Sequence, residues 1–178
     1  DEALAEKAKR VVFPELCITG YTCADLFWQD RLLEEARRHL LRIVEHTRGT
    51  DALAFVGLPW EKDGKLYNVA AAVFGGKLMG LIPKRFLPNY NEFYEARHFT
   101  PGNERAERIT FAGKEVPFGT NLLFCAREPE GLCVAAEICE DLWAPAPPSI
   151  GHALAGANPP GSPARRLTSN ASAQSAAG

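Results

Sequence analysis

The chain has 178 residues, of which 46% are hydrophobic and 24% are charged, and these proportions are ordinary for a folded globular domain. The formal net charge is −2, so the composition gives no electrostatic reason to expect binding to nucleic acid or to an anionic membrane. No apolar run approaches the roughly 18 residues that a membrane-spanning helix requires. The start, "DEALAEKAKR", is acidic and then basic, which is not typical of a secretory signal.

The amino-terminal part of the chain alternates helix and strand patterns. Residues 1–10 resemble the end of a helix, and "VVF" at 11–13 predicts a buried strand that Pro14 helps to end. A chain that opens on a helix leading into such a strand suggests that an earlier strand is missing, so we expect a shortened amino terminus. Residues 15–29 are expected to form a loop.

A second helix is predicted after this loop. Apolar residues recur at helical spacing, with Asp30 as the predicted N-cap and Gly49 just beyond the last turn; the apolar residues are Leu33, Ala36, Leu40, Ile43 and Val44. The charged residues between them form a solvated face.

The pattern then changes to strands. Two hairpins are predicted, one at Asp63-Gly64 and one at Gly75-Gly76, between the runs "ALAFVG", "LYNVAAAVF" and "KLMGLI". A long polar and aromatic loop follows from residue 85 to about residue 105. The runs "ITFAG", "NLLFCA" and "LCVAAEIC" predict further strands, and "SIGHALAGA" predicts a helix. From Asn158 onward the composition is that of a linker or a disordered tail.

The cysteines are few and odd in number, which argues against a disulfide framework. No CxxC pair occurs and no histidine lies close to the first two, so a zinc site is not indicated; the five are Cys17, Cys23, Cys125, Cys133 and Cys139. We expect a reducing, cytoplasmic environment in which most of these thiols are small buried hydrophobic side chains.

Three apolar runs each end at a residue that can take part in catalysis. "VVFP" ends at Glu15, "KLMGLIP" at Lys84 and "LCVAAEI" at Cys139. In open α/β sheets, sites form beyond the carboxyl ends of strands, so three such ends could converge on one pocket. Taken singly, each residue also has an ordinary interpretation: a core cysteine, a solvated glutamate in a turn, and a surface lysine.

Together the three residues would suffice for acyl transfer without histidine. A cysteine attacks a carbonyl as the thiolate, so it needs a base or a positive neighbour. A glutamate can take that proton and return it to the leaving amine if burial raises its pKa towards neutrality. A lysine ammonium can stabilise the tetrahedral oxyanion.

The sequences around these residues resemble a known enzyme family. "VVFPELCITGYTCADLF", "GLIPKRFLPNYNEFYEARHFTPG" and "ICEDLW" resemble the carbon–nitrogen hydrolase (nitrilase) superfamily. The sequence Cys139-Glu140-Asp141-Leu142-Trp143 and the extension "GYTCADLF" are most similar to its glutaminase branch, the amino-terminal domains of glutamine-dependent NAD synthetases. The resemblance covers roughly residues 1–157.

This resemblance implies a role for each residue. Glu15 would be the general base, Lys84 the lysine that stabilises the oxyanion, and Cys139 the nucleophile. Glu92 would be a second active-site glutamate that orients Lys84 and the substrate. Further expected substrate-binding residues are Tyr21 and Tyr90 in the glutamine pocket, Glu140 at the substrate's α-amino group, and Trp143 in the pocket wall.

The resemblance also implies the reaction and its partners. Glutamine would be hydrolysed through a thioester, and the ammonia would amidate deamido-NAD in a separate NAD synthetase domain. That domain would use ATP and Mg²⁺, whereas the glutaminase domain would need no cofactor or metal. A homo-oligomer is expected, with no nucleic-acid or membrane partner.

The implied fold is α/β, the four-layer α–β–β–α sandwich of the nitrilase type, incomplete at both ends. Residues 1–157 would form the hydrolase domain, and residues 158–178 a divergent or shortened carboxyl-terminal segment in which "RRLTSNASAQSAAG" resembles a helix of the family. Two alternatives to the glutaminase stay open. One is a free-standing amidase of the same superfamily that acts on another amide, and the other is an inactive remnant that only packs against partner subunits.

Overall fold

The computed structural model describes residues 2–126 and 132–156, together with the backbone of 171–174. The helices are α1 (Glu2–Ala5), α2 (Asp30–His46) and α3 (Pro148–Leu154). The strands are β1 (Arg10–Val12), β2 (Leu53–Lys62), β3 (Lys65–Phe74), β4 (Lys77–Pro83), β5 (Glu107–Phe111), β6 (Lys114–Phe118), β7 (Phe124–Cys125), β8 (Cys133–Ile138) and β9 (Ala171–Gln174). Short 3-10 helices span Ala24–Trp28, Glu95–Arg97 and Cys139–Leu142.

Strands β1 to β6 form one mixed sheet in the order β1-β2-β3-β4-β6-β5. Strand β1 runs parallel to β2, whereas β2, β3 and β4 are antiparallel neighbours. The register pairs Lys62 with Lys65 and Phe74 with Lys77, which confirms both predicted hairpins. Strand β6 was not predicted, because "KEVPF" is short and contains a proline; it joins the sheet through antiparallel pairing with β5 and one parallel pairing with β4.

A second sheet has the order β7-β8-β9, and all of its pairings are antiparallel. Residues 171–174 therefore form a strand, so the predictions of a disordered tail and of a helix are wrong for these four residues. The remaining parts of the predicted carboxyl-terminal segment, 158–170 and 175–178, lie outside the described residues.

The alternation of side chains along each strand divides the core into two layers. On one face of the six-stranded sheet, the amphipathic helix α2 packs through Ala36, Leu40 and Val44 against Val56 and Leu58 of β2. The opposite face packs on the second sheet, where residues of β2, β3 and β4 meet those of β8: Phe55, Ala70, Ala72, Ile82, Val134, Ala136 and Ile138. Helix α3 contacts β8. The chain thus has the predicted mixed α/β class.

Two local predictions need correction. Helix α2 begins at Asp30 itself, so its N-cap is Gln29 and not Asp30; Asp30 instead lies in the first turn, where the helix dipole favours a negative charge. Cys125 and Cys133 are opposite each other on β7 and β8 and are joined by a disulfide bond, where the sequence predicted free thiols. Among the described helices, none combines the length and the apolar character that crossing a bilayer would demand.

Candidate active site

The loop after β1, which contains Glu15, packs directly on Gly57 of β2. The Ile18 amide donates a hydrogen bond to the Gly57 carbonyl of β2, and Leu16 in this loop has a positive φ of 51°. A Cβ atom at Gly57 would lie 2.4 Å from the Leu16 nitrogen and 2.6 Å from the Pro14 oxygen. Only glycine fits under this loop, and the close approach fixes the backbone that carries Glu15.

Lys84 follows β4 and is held by backbone hydrogen bonds on both sides. Its amide donates to the Asn68 carbonyl at 2.8 Å, and its carbonyl accepts from the Gly102 amide at 2.7 Å. Lys84 lies two residues after Ile82, so both side chains point to the same face of the sheet, and Ile82 packs on the second sheet there. The Lys84 side chain is fully buried. The predicted surface alternative for this lysine is therefore wrong.

The Lys84 ammonium is bound by two carboxylates. Its Nζ lies 2.7 Å from Oε1 of Glu15 and 2.6 Å from Oε1 of Glu95, and the two glutamate side chains are 7% and 4% exposed. The Asn68 amide nitrogen donates to Glu15 and to Oε2 of Glu95, the latter at 3.4 Å. The Tyr21 hydroxyl donates to Oε1 of Glu95 at 2.7 Å. One cation and two neutral donors thus compensate two buried carboxylates.

The charges of this cluster shift its pKa values. Burial lowers the pKa of Lys84, but attraction to Glu15 and Glu95 outweighs burial, so the pKa is raised overall and the lysine is a cation at neutral pH. Burial raises the pKa of Glu15, Lys84 opposes that shift, and the neighbouring Glu95 adds to it, with a raised pKa as the result. A carboxylate with a raised pKa is suited to accept and return a proton near neutrality.

Cys139 lies at the end of β8, where a 3-10 helix begins, and its φ is +46°. A non-glycine residue with positive φ is uncommon, and such strain often occurs at functional sites. The thiol is free and half-buried. Burial raises its pKa, Lys84 lowers it, and Glu15, Glu95 and Glu140 raise it further. Cys139 is therefore near enough to Glu15 and Lys84 for both of their charges to act on it.

The expected substrate-binding residues occupy two kinds of position. Tyr21 reaches the buried cluster through Glu95, as described above. The Tyr90 hydroxyl donates to Oε2 of Glu140 at 2.8 Å, and half of the Tyr90 side chain is exposed. Trp143 is 76% exposed, so in this structure it does not form a closed pocket wall.

The structure corrects the assignment of the second glutamate. Glu92 is exposed, and the carboxylate that contacts Lys84 belongs to Glu95. Both residues lie in the loop "NYNEFYEARHF", and spacing from Lys84 does not distinguish them. No sequence signal separated them: only the structure shows that Glu95 is buried, with its carbonyl accepting a hydrogen bond from the Phe99 amide at 2.8 Å.

Asn68 and the buried role of Asp141 were also missed. Asn68 is 1% exposed in the middle of the apolar run "LYNVAAAVF", and an amide in such a run is the signal that could have identified it. Asp141 is 2% exposed and accepts three backbone hydrogen bonds. Within the described ranges 2–126 and 132–156, no cluster of histidine, cysteine, aspartate and glutamate is arranged to hold a metal ion.

Comparison with protein families identifies the class of this fold and site. The carbon–nitrogen hydrolase family matches residues 1–158, so the chain belongs to that family. The resemblance predicted from the three motifs is confirmed.

Several similar proteins are glutamine-dependent NAD(+) synthetases. The one from Mycobacterium tuberculosis is 41% identical over 150 residues, which are 84% of this chain and 22% of that protein. The one from Aquifex aeolicus is 35% identical over 153 residues, 86% of this chain and 24% of that protein. This chain thus spans between a fifth and a quarter of the length of these relatives.

Solved structures give the same result. A glutamine-dependent NAD(+) synthetase from Cytophaga hutchinsonii superposes with a TM-score of 0.68 at 31% identity, over 74% of this chain and 22% of that one. The synthetase from Acinetobacter baumannii, solved in complex with ADP, gives a TM-score of 0.62 at 25% identity, over 86% of this chain and 25% of that one.

Proposed function

We propose that this chain is a glutaminase that hydrolyses the side-chain amide of glutamine through a thioester on Cys139. The observation that carries the proposal is the buried Lys84 ammonium, held between Glu15 and Glu95 and close enough to Cys139 to act on its thiol. The identity to glutamine-dependent NAD(+) synthetases supports glutamine as the substrate.

The first half of the reaction forms the thioester. Burial and the three surrounding carboxylates raise the pKa of Cys139 despite the opposing charge of Lys84, so the resting thiol is neutral and must lose its proton as it attacks. Glu15 accepts that proton, the sulfur bonds to the amide carbon, and the tetrahedral intermediate forms. The C–N bond then breaks, and Glu15 returns the proton to the departing ammonia.

The second half of the reaction hydrolyses the thioester. Glu15 takes a proton from water, and the water oxygen bonds to the carbonyl carbon. The C–S bond then breaks as Glu15 gives the proton to the departing sulfur, which releases glutamate and restores the Cys139 thiol and the Glu15 carboxylate. Lys84 stabilises the oxyanion in both halves, and losing one such donor typically costs about 3 to 4 kcal/mol of transition-state stabilisation. Glu95, rather than Glu92, holds Lys84 in place through its contact at 2.6 Å.

Glutamine would be recognised at the exposed side of this cluster. Glu140 offers a carboxylate to the α-ammonium group, and Tyr90 orients it through their hydrogen bond of 2.8 Å. Tyr21 would line the buried side of the pocket, where its hydroxyl donates a hydrogen bond to Glu95. Trp143 is exposed, and it would form a wall of the substrate pocket only if a further part of the protein packs against it.

In the larger protein, the ammonia would amidate deamido-NAD in a synthetase domain that uses ATP and Mg²⁺. We further propose that the full fold is the four-layer α–β–β–α sandwich and that the protein is a homo-oligomer. The contacts of α2 and of the second sheet with opposite faces of the large sheet, and of α3 with β8, support the layer order.

The test is ammonia release from glutamine by the purified chain and by its Cys139→Ala variant. We expect the variant to lose activity by at least about a thousandfold, because it lacks the sulfur on which the proposed thioester forms. Cys17→Ala is the matched control, since Cys17 is a free, exposed cysteine, and it should retain the parent rate. Equal ammonia release by the parent and by Cys139→Ala would disprove the nucleophile assignment.

A substrate panel separates the alternatives. Preference for a simple aliphatic or N-carbamoyl amide over glutamine would favour the free-standing amidase. A folded chain that neither releases ammonia nor is labelled at Cys139 by a thiol-reactive glutamine analogue would be the inactive remnant.

A further inference from the structure

Asp141 links the two segments that carry Lys84 and Cys139. Its Oδ1 accepts hydrogen bonds from the backbone amides of Arg85 at 3.0 Å and Phe86 at 2.7 Å. Its Oδ2 accepts from the Ile138 amide at 3.0 Å. Arg85 directly follows Lys84, and Ile138 directly precedes Cys139. A single buried carboxylate therefore joins the backbones beside both proposed catalytic groups.

A purely local role does not explain these contacts. An aspartate near the start of a short helix commonly accepts the amide that precedes the helix, and that accounts for the bond to Ile138. This local role does not account for the hydrogen bonds that the amides of Arg85 and Phe86 donate to Asp141 from 56 and 55 residues away along the chain. The carboxylate is 2% exposed, so these bonds are made in a buried setting.

Each linked segment needs external support. Cys139 has a positive φ, which costs free energy and persists only where the surroundings impose it. Lys84 is fixed to the sheet through its own amide and carbonyl, but β4 ends at Pro83, directly before it. The hydrogen bonds from the amides of Arg85 and Phe86 to Asp141 hold the segment after Lys84 against the turn that contains Cys139.

We propose that Asp141 is a positioning residue that sets the separation between the Lys84 ammonium and the Cys139 sulfur. This inference rests on the proposed function, in which Lys84 acts at the carbonyl attacked by Cys139. The hydrogen bonds of Asp141 all go to backbone amides. It acts through the backbone on the geometry of the pair.

The test measures the reactivity of the Cys139 thiol and does not depend on turnover. The full chain and its Asp141→Asn and Asp141→Ala variants are treated with iodoacetamide over a range of pH, and the alkylation of each cysteine is followed by mass spectrometry. Because the Lys84 charge lowers the pKa of Cys139, loss of positioning should leave less thiolate at pH 7, and Cys139 should react about tenfold more slowly in Asp141→Ala. Cys17 serves as the reference thiol within the same molecule.

The two variants should differ. The Asn oxygen can still accept from Arg85 and Phe86, but its NH₂ group would face the Ile138 N–H, so Asp141→Asn should lose only part of the effect. Asp25→Asn is the matched control, since Asp25 is exposed and pairs with Arg97 at 3.1 Å, and it should leave Cys139 unchanged.

The sign of the change separates positioning from general stability. Loosening of the fold would make the half-buried Cys139 react faster, whereas lost positioning makes it react more slowly. Faster or unchanged alkylation of Cys139 in a folded Asp141→Ala variant would overturn the proposal, as would failure of both variants to fold, because Asp141 would then be a determinant of the fold as a whole. If the chain proves inactive on glutamine while the alkylation result holds, the proposed function fails and the link between the two segments stands.

Discussion

The buried cluster of Glu15, Glu95 and Lys84 carries a formal charge of −1 when both carboxylates are ionised. Such a cluster is costly unless neutral donors offset the excess. The Asn68 amide supplies one donor to each carboxylate, and its Oδ1 finds no protein partner among the described residues. Asn68 thus contributes as a double donor and holds the two glutamates at fixed positions.

Removing this donor should change the pH dependence of catalysis. The hydrogen bond from Asn68 lowers the pKa of Glu15, so in Asn68→Ala that pKa should rise. We expect the acidic limb of kcat/KM for ammonia release to move to higher pH. Asn121→Ala, at an exposed position, is the control; an unshifted limb in Asn68→Ala would argue against Glu15 as the base.

The ionised form of Asp141 should reduce stability at neutral pH. Burial raises the pKa of Asp141 from 3.8 to about 6, and its three backbone hydrogen bonds only partly oppose that shift. A carboxyl group whose pKa is raised by folding stabilises the fold at pH values below its pKa in the unfolded chain. That contribution is lost as the pH rises through its pKa in the folded chain. A shift of that size corresponds to about 3 kcal/mol.

The corresponding measurement compares wild type with Asp141→Asn in urea unfolding at several pH values. The free energy of unfolding of wild type, relative to the variant, should fall by up to about 3 kcal/mol between pH 4 and pH 7. If the difference in unfolding free energy between wild type and variant stays constant over this range, the pKa of Asp141 is not raised in the folded protein. The expected cost agrees with a residue retained for positioning rather than for stability.

At the scale of elements, the segments that follow β1, β4 and β8 build the site, and close backbone contacts fix them. The loop of Glu15 crosses β2 at Gly57, and Gly102 lies so close to Pro83 that a Cβ atom there would be 2.7 Å from its ring. Both glycines serve packing rather than turn formation, since neither has a positive φ.

Replacing Gly57 should therefore disturb both the fold and the base. In Gly57→Ala the new Cβ would lie within 2.9 Å of three backbone atoms of residues 14–16, which cannot move independently of Glu15. We expect a loss of about 1 to 3 kcal/mol in unfolding free energy and at least about a tenfold loss of ammonia release. Gly151→Ala in α3, where no atom lies within 4 Å of the new Cβ, is the contrast; it should stabilise by about 0.5 to 1 kcal/mol. Equal effects of the two substitutions would remove the argument for close approach.

At the scale of the whole molecule, stability depends on two apolar layers on opposite faces of the large sheet. Leu40 of α2 is fully buried in the first layer, whereas Leu154 at the end of α3 is 86% exposed. Leu40→Ala should cost about 2 to 5 kcal/mol of unfolding free energy, and Leu154→Ala less than about 0.5 kcal/mol. Thermal or urea unfolding of the two variants measures this difference. A cost at Leu40 as small as that at Leu154 would show that α2 does not pack on the sheet.

Much of this fold was predictable because its signals are local. The hairpins at Asp63-Gly64 and Gly75-Gly76 follow from turn chemistry, and α2 follows from its apolar spacing. Strand β6 and the pairing of residues 171–174 with β8 were missed, because short segments without strong alternation become strands only when a neighbouring strand offers hydrogen bonds. The disulfide was missed for a similar reason, since spacing does not reveal that Cys125 and Cys133 face each other.

The sequence by itself determined the α/β class, the family, and the proposal of Glu15, Lys84 and Cys139, because each of these depends on a short contiguous motif. Only the tertiary structure decided that Glu95 rather than Glu92 contacts Lys84, that Asn68 bridges the two carboxylates, and that Asp141 joins the lysine segment to the cysteine turn. The physical reason is that these contacts join residues 11, 27 and 55 positions apart. Which side chains meet over such separations depends on how the loops cross the two packed sheets, and no local pattern records that arrangement.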